Sequence, residues 1–553
     1  MSAETGTVVS GESRTAVSRE TGGAVGAGTG AAVSAEGDVG EAVPRPLAEL
    51  LTGQPPAVPV DGGRLAAAVE SGPRVIVLDD DPTGTQTVAG LPVLTRWSVD
   101  DLRWALAQGA PAVFVLVNTR AMAAQDAAAR DREVVRASLA AARLEGVEVV
   151  FASRGDSTLR GHFPLETDVI AEELAGRVDA VLLVPAYIDA GRVTVDGAHY
   201  LRTAEGMLPV GASEFARDAT FGYRASRLPE WVEEKTAGAI QRAEVPVITL
   251  RELRSGDQAA LVSRLASFEG GRPVVVDAAC DDDLRNLTLA LVEAERLGKR
   301  FVYRVGPSFV RARSGQTATP PIDDANLSHL TDLGRLIGGP RPTNPARPDD
   351  GLSPGVTDPA RPDTGTGRRV TEPAPAHGLV VVGSHVAQTT RQLARLRERR
   401  AVELIELDSD RLLDPAGVES YVAEVVGRAV ALLATGQVVL ATSRTLRTAG
   451  SPEANLALSR TISAGVVSVV RGVTARVRPA FVVAKGGITS SDVATDGLGI
   501  VRAHALGTLL PGIVSLWMAA EGRSMGLPYV VFAGNVGDDE ALADVVDRLR
   551  PTC

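Results

Sequence analysis

From Arg74 onward the chain repeats one texture: short, continuous apolar runs bounded by polar turns and separated by Ala/Arg/Glu-rich stretches. The runs are RVIVL (74–78), AVFVLV (112–117), VEVVF (147–151), AVLLV (180–184) and VVVD (274–277). After a gap come LVVVG (379–383), VVLAT (438–442), AFVVA (480–484) and YVVFAG (529–534). A strand with one wet face alternates apolar and polar side chains; a run that is apolar throughout is buried on both faces, as under crossover helices in a parallel sheet. The alternation predicts βαβ units, and the gap divides them into two α/β domains with mostly parallel sheets.

The stretches without this texture set the expected boundaries. Residues 1–60 are rich in Gly, Ala, Ser, Thr and Glu with no apolar period, so a disordered tail is expected there. Gly26, Gly28 and Gly30 follow no strand and open no helix, which excludes a nucleotide loop. Residues 61–311 are read as the first domain, the Pro/Gly/Asp-rich 312–376 as a linker and 377–553 as the second domain.

Composition narrows the function. Hydrophobic residues at 44 % and charged residues at 23 % are ordinary for a soluble globular chain. A net charge of −11 argues against nucleic acid as a partner, since phosphate neutralisation needs clustered Lys and Arg. An anionic small molecule stays in play, because a few arginines reverse the field within one cleft. Cys280 and Cys553 cannot build a disulfide framework or, unaided, a metal site, and a reduced cytoplasmic location is expected. The segment Met1-Ser2-Ala3-Glu4 lacks the start of a signal peptide, no run is long enough to span a bilayer, and no membrane partner is expected. A homo-oligomer is left open.

Polar clusters follow the predicted strands, where open α/β sheets bind ligands. In the first half they are Asp79-Asp80-Asp81-Pro82-Thr83-Gly84-Thr85, Asn118-Thr119-Arg120, Arg154-Gly155-Asp156-Ser157-Thr158-Leu159-Arg160-Gly161-His162 and Pro185-Ala186-Tyr187. Arg154 and Arg160 offer paired donors that match a carboxylate. Asp80, Asp81 and Asp156 can accept from sugar hydroxyls, and one can take a proton. Ser157, Thr83 and Thr85 add orienting hydroxyls. A helix cap and an exposed turn would account for either cluster alone, but a cap needs one acceptor and not a set of mixed charge.

In the second half Lys485-Gly486-Gly487-Ile488-Thr489-Ser490-Ser491-Asp492 leaves an apolar strand and enters a helix. Paired glycines let backbone N–H groups approach a phosphate at a helix N-terminus, and Lys485 could add a point charge. Gly383-Ser384 and Gly534-Asn535-Val536-Gly537 are similar loops. No GxxxxGK[ST] loop occurs, and Gly497-Leu498-Gly499 meets Arg502 where a dinucleotide fingerprint needs its third glycine.

Taken together, DDDPTGTQT, RGDSTLRGH, VPAYIDAGRVTVDGAHYL, VVGSH with TTRQL, AKGGITSSDVAT and FAGNVG resemble the four-carbon acid sugar kinases, over roughly 73–310 and 378–548. The resemblance implies an ATP-dependent kinase acting on the terminal hydroxyl of erythronate, threonate or 3-oxo-tetronate, with Mg²⁺ and with the active site in the interdomain cleft. It implies sugar-acid binding by Asp80, Asp81, Thr83, Gly84, Arg154, Asp156, Ser157, Arg160 and Gly161. It implies nucleotide binding by Ser384, Gly486, Gly487, Ile488, Thr489 and Gly534. No protein-bound metal site is expected. Pro82 and Thr85 depart from the family's pattern and leave the substrate open. Asp81 is read as general base ahead of Asp80 and Asp156, with Asp492 last. The competing readings are a regulatory protein that binds the same ligands without catalysis, and an NAD-dependent dehydrogenase, which the broken fingerprint disfavours.

Overall fold

The structure, a computed structural model, describes residues 43–318, 320–323, 327, 377–444 and 452–550. In the first half the strands are β1 (Arg74–Asp79), β2 (Leu91–Leu94), β3 (Ala112–Leu116), β4 (Val149–Arg154) and β5 (Ala180–Val184). A small antiparallel sheet follows, of β6 (Arg192–Val195), β7 (Ala198–Arg202) and β8 (Met207–Pro209). The half closes with β9 (Val247–Ile248), β10 (Arg272–Val276) and β11 (Phe301–Val305). The second half contributes β12 (Leu379–Val382), β13 (Val402–Leu407), β14 (Gln437–Thr442) and β15 (Val482–Lys485), then β16 (Arg502–Leu510), β17 (Val514–Ala519) and β18 (Pro528–Phe532). Each apolar run singled out above holds one of these strands.

The two halves share one sheet of fifteen strands, in the order β13-β14-β12-β15-β18-β17-β16-β2-β3-β1-β4-β11-β5-β10-β9. Pairing is parallel except at β18–β17, β17–β16 and β16–β2, the last joining Arg502 to Leu94 and Ala505 to Leu91. In a flat sheet three reversals would send the carboxyl ends of the two parallel blocks to opposite edges. However, β16 carries two register shifts, with Gly507 at φ 140°. Such bulges bend a strand and increase its twist, and strand ends from both blocks meet around one cavity.

Helices cover the faces. Ala124–Glu145 stops at Gly146, whose φ of 67° supplies the left-handed turn that ends a helix. Beneath them one apolar cluster runs through both halves, from Val75, Val77 and Leu91 to Val381, Trp517 and Tyr529. A polar interlock crosses the seam: Trp517 Nε1 donates to Thr85 Oγ1 at 2.8 Å, and Thr85 donates to Ser515 Oγ at 2.9 Å. Thr85 thus ties the halves together; it does not line the cavity.

Residues 43–60, part of the expected tail 1–60, are structured. Leu47–Leu50 is helical, Arg45 pairs with Met207, and Leu50 joins Val193, Met207 and Leu250 in a small apolar cluster. Residues 1–42 lie outside the described residues, as does most of the expected linker 312–376. The start of that linker belongs to the first half, since Arg313 is buried and pairs with Glu295 at 2.6 Å.

Candidate active site

A cavity of about 560 Å³ lies at the strand ends of both halves. Asp80, Asp81 and Thr83 line it after β1, Arg154 at the end of β4, and Asp156, Ser157 and Arg160 after β4. Facing them are Ser384 after β12, Gly486, Gly487, Ile488 and Thr489 after β15, and Gly534 after β18. Of the residues singled out from the sequence, Gly84 and Gly161 stand behind the wall. The Gly84 N–H donates to Asp79 Oδ2 at 3.1 Å, and a β-carbon there would collide with that carboxylate. Gly161 has φ 126°, and a β-carbon would stand 2.6 Å from Arg304 Nη2.

The acidic triplet is wrapped around arginine. Arg154 Nη1 lies 3.0 Å from both Asp79 Oδ1 and Asp81 Oδ1, and 3.5 Å from Asp80 Oδ1. Burial pushes the Asp79 carboxyl up to about 7 against the pull of Arg154. It also raises Asp80, against the pull of Arg120 and Arg154, and Asp80 Oδ2 has no hydrogen-bond partner among the described residues. Asp81 Oδ1 accepts from the Thr83 N–H at 2.9 Å, while Oδ2 contacts Arg120 and faces Gly487. The Asp81 side chain is 12 % exposed and that of Asp80 2 %, so Asp81 is the acid of this pair that a substrate can reach. Oxygens of the three aspartates lie within 4.8 Å of one another. With the Arg154 and Arg120 guanidinium groups among them, the cationic charge is already supplied, and the triplet does not fit a resident metal ion.

The loop after β4 is held from behind by three side chains. Arg304 donates to the Arg160 carbonyl at 3.2 Å, Tyr223 to the Thr158 carbonyl at 2.6 Å, and His199 Nε2 to the Ser157 carbonyl at 2.8 Å. Burial lowers His199 to about 4; the neutral ring gives its one proton to that carbonyl and accepts from Thr194 at Nδ1. Asp156 accepts from Arg160 Nε at 2.6 Å. Burial opposes its ionisation, but Arg160, Arg120 and Arg192 outweigh this and hold its carboxyl well below the usual range.

Across the cavity, Gly486 has φ 125°, and a β-carbon on it would stand 3.2 Å from Thr489 Oγ1 and 3.3 Å from Ser384. Only glycine turns the chain here. The helix Gly487–Asp492 starts at the cavity, and its first N–H groups have no acceptor within the helix. Lys485 departs from expectation. It is fully buried, donates to the Ala533 carbonyl at 2.7 Å and lies over the Phe532 ring at 3.7 Å. It steadies the Gly534 loop from beneath and does not line the cavity. Asp492 lines a neighbouring cavity instead, bonded to Ser463.

Sequence reasoning did not assign Arg192, Arg304, His199 or Tyr223. Arg192 and His199 lie inside the VPAYIDAGRVTVDGAHYL motif. Arg304 and Tyr223 carry no local signal, because each acts on a loop more than 60 residues away in sequence.

Residues 75–313 match the family described as "Sugar-binding N-terminal domain", and 379–542 match "Nucleotide-binding C-terminal domain". A D-threonate kinase of Bordetella bronchiseptica is 32 % identical over 40 % of this chain, and the match spans half of that relative. A D-erythronate kinase of Heliobacterium modesticaldum is 25 % identical over 79 % of this chain and 87 % of its own. A 3-oxo-tetronate kinase of Methylobacterium radiotolerans is 26 % identical over 85 % and 98 %. A crystal structure from Salmonella typhimurium shares the fold, with TM-score 0.55, 20 % identity and coverage of 85 % and 98 %. With both half-chain matches in sequence order and their strand ends around one cavity, the chain belongs to the four-carbon acid sugar kinase family.

Proposed function

We propose that the protein is an ATP-dependent kinase that phosphorylates the terminal hydroxyl of a four-carbon sugar acid of the erythronate, threonate or 3-oxo-tetronate class. One observation carries the reading: Asp81 Oδ2 faces Gly487, so a reachable acid stands opposite a glycine loop at a helix start. Phosphoryl transfer asks for an oriented hydroxyl, a proton acceptor and donors for the phosphate oxygens.

Asp81 is fitted for the acceptor role. Thr83 and Arg154 hold Oδ1, while Oδ2, in contact with Arg120, faces Gly487. Asp156, kept ionised by its arginines, orients hydroxyls. Asp80, Thr83, Ser157, Arg154 and Arg160 complete the sugar-acid wall, with Gly84 and Gly161 letting it close behind. Gly486, Gly487, Ile488, Thr489, Ser384 and Gly534 form the nucleotide side. Val386 and Ile488, exposed at 45 % and 40 %, give that side an apolar surface for a base or ribose. ATP would supply the transferred phosphoryl group, and Mg²⁺ bound to the nucleotide would neutralise its charge; Arg154 and Arg120 already occupy the acidic triplet, so those aspartates would not hold the ion.

The test is ADP release from ATP in a panel of four-carbon sugar acids. Release that depends on one tetronate is expected. A folded protein that releases no ADP with any of them would overturn the reading.

A further inference from the structure

Four arginines line the cavity: Arg120, Arg154, Arg160 and Arg192. Three are matched to aspartates of the chain itself. Arg154 is shared among Asp79, Asp80 and Asp81; Arg120 contacts Asp81 and lies 3.9 Å from Asp80 and 4.0 Å from Asp156; Arg160 holds Asp156 at 2.6 Å and Asp218 at 3.6 Å. Arg192 forms no ion pair among the described residues. Nη1 donates to Ser157 Oγ at 2.6 Å, and the guanidinium carbon stands 5.7 Å from the Tyr187 ring centroid and 5.9 Å from that of Phe215. Its backbone is pinned by paired hydrogen bonds with Tyr187, at 2.9 and 3.0 Å. The side chain is therefore oriented and partly desolvated; Asp156, whose ionisation it supports from beyond salt-bridge distance, is the acid that faces it, and that carboxylate is already bonded by Arg160.

Its position matters as much as its charge. From the glycine loop inward the contacts run from Gly487 to Asp81, then Arg120, then Asp156, and past Ser157 to Arg192. A tetronate carries its carboxylate and its terminal hydroxyl at opposite ends. We infer that Arg192 is the residue that recognises the substrate carboxylate and so selects acids over uncharged polyols. This rests on the sugar-acid kinase reading. Arg160 and Arg154 then shape the wall and hold the aspartates, in place of gripping the carboxylate as their residue type first suggests.

The experiment compares the best tetronate with the corresponding four-carbon polyol, in the wild type and in Arg192→Gln, Arg192→Lys and Arg160→Gln. Steady-state kinetics with ATP and calorimetric titration of the tetronate without ATP supply two readouts. Arg192→Gln is expected to raise KM for the tetronate about 10–100-fold, the worth of a lost charge-assisted contact. KM for ATP and for the polyol should hold, and Arg192→Lys should recover part of the loss. Thermal melting checks each fold; should Arg192→Gln not fold, Arg192→Lys carries the test by the same selective rise. Loss of acid-over-polyol preference in Arg160→Gln, with Arg192→Gln unaffected, would overturn the inference while leaving the kinase reading intact. Arg192-dependent tetronate binding without turnover would do the reverse. A wild type that neither binds nor phosphorylates any tetronate would overturn both.

Discussion

Asp81 Oδ2 looks across the cavity at Gly487, 3.7 Å from where a β-carbon on that glycine would stand. The two residues are 406 positions apart, and their meeting makes one site of two half-sites. If Asp81 takes the proton of the attacking hydroxyl, Asp81→Asn should lower kcat by about 10²–10⁴, with KM for both substrates nearly kept. Near-normal kcat in Asp81→Asn beside a collapse in Asp156→Asn would move the role to Asp156.

The glycine pair divides its work. At Gly486 the backbone demands glycine, and Gly486→Ala should destabilise the loop as well as weaken nucleotide binding. Asp81 Oδ2 is the neighbour that a β-carbon at Gly487 would meet within 4 Å, so Gly487→Val should fold. It should nevertheless bind ATP poorly, because its branches fill the gap between loop and acid. Calorimetry with ATP, alongside a melting curve, checks both. Unchanged affinity in folded Gly487→Val would remove the loop from the nucleotide site.

Because the acidic triplet is already neutralised by arginine, the transferred group needs a mobile cation. Excess chelator should abolish ADP release, and magnesium should restore it. The chelated, nucleotide-free protein should melt as the untreated one does. A fall in melting temperature on chelation alone would reveal a structural metal.

Burial depresses Lys485 from an ordinary 10.5 to about 7. Between those values the unfolded chain binds the proton and the folded chain does not, so the group's contribution to stability grows as pH rises from about 7 and is lost as pH falls back. Lys485→Met, which removes the titration, should show a flatter melting temperature between pH 7 and 10. Parallel profiles for wild type and variant would contradict the shifted lysine.

Much of the first layer is local and so legible without coordinates. β5 coincides with the run 180–184, and the other apolar runs also became strands, because a strand buried on both faces must be apolar along its length. The loops after β1, β4, β12, β15 and β18 were recognisable for a similar reason: polar and glycine residues that abruptly end an apolar run have little other use. Neither β16 nor the joining of two sheets into one could be read this way. The Ala505–Leu91 pairing and the bends that bring the strand ends together depend on partners hundreds of residues apart.

The roles within the site divide along the same line. Residue type by itself made Arg154 and Lys485 into ligand-binding cations and left Arg192 unassigned. Tertiary structure buried Lys485 under Ala533, closed Arg154 around three aspartates and left Arg192 facing the cavity beside Ser157. A charge is a property of one residue, but whether it is free to meet a ligand depends on which opposite charge the fold has already placed within about 4 Å of it.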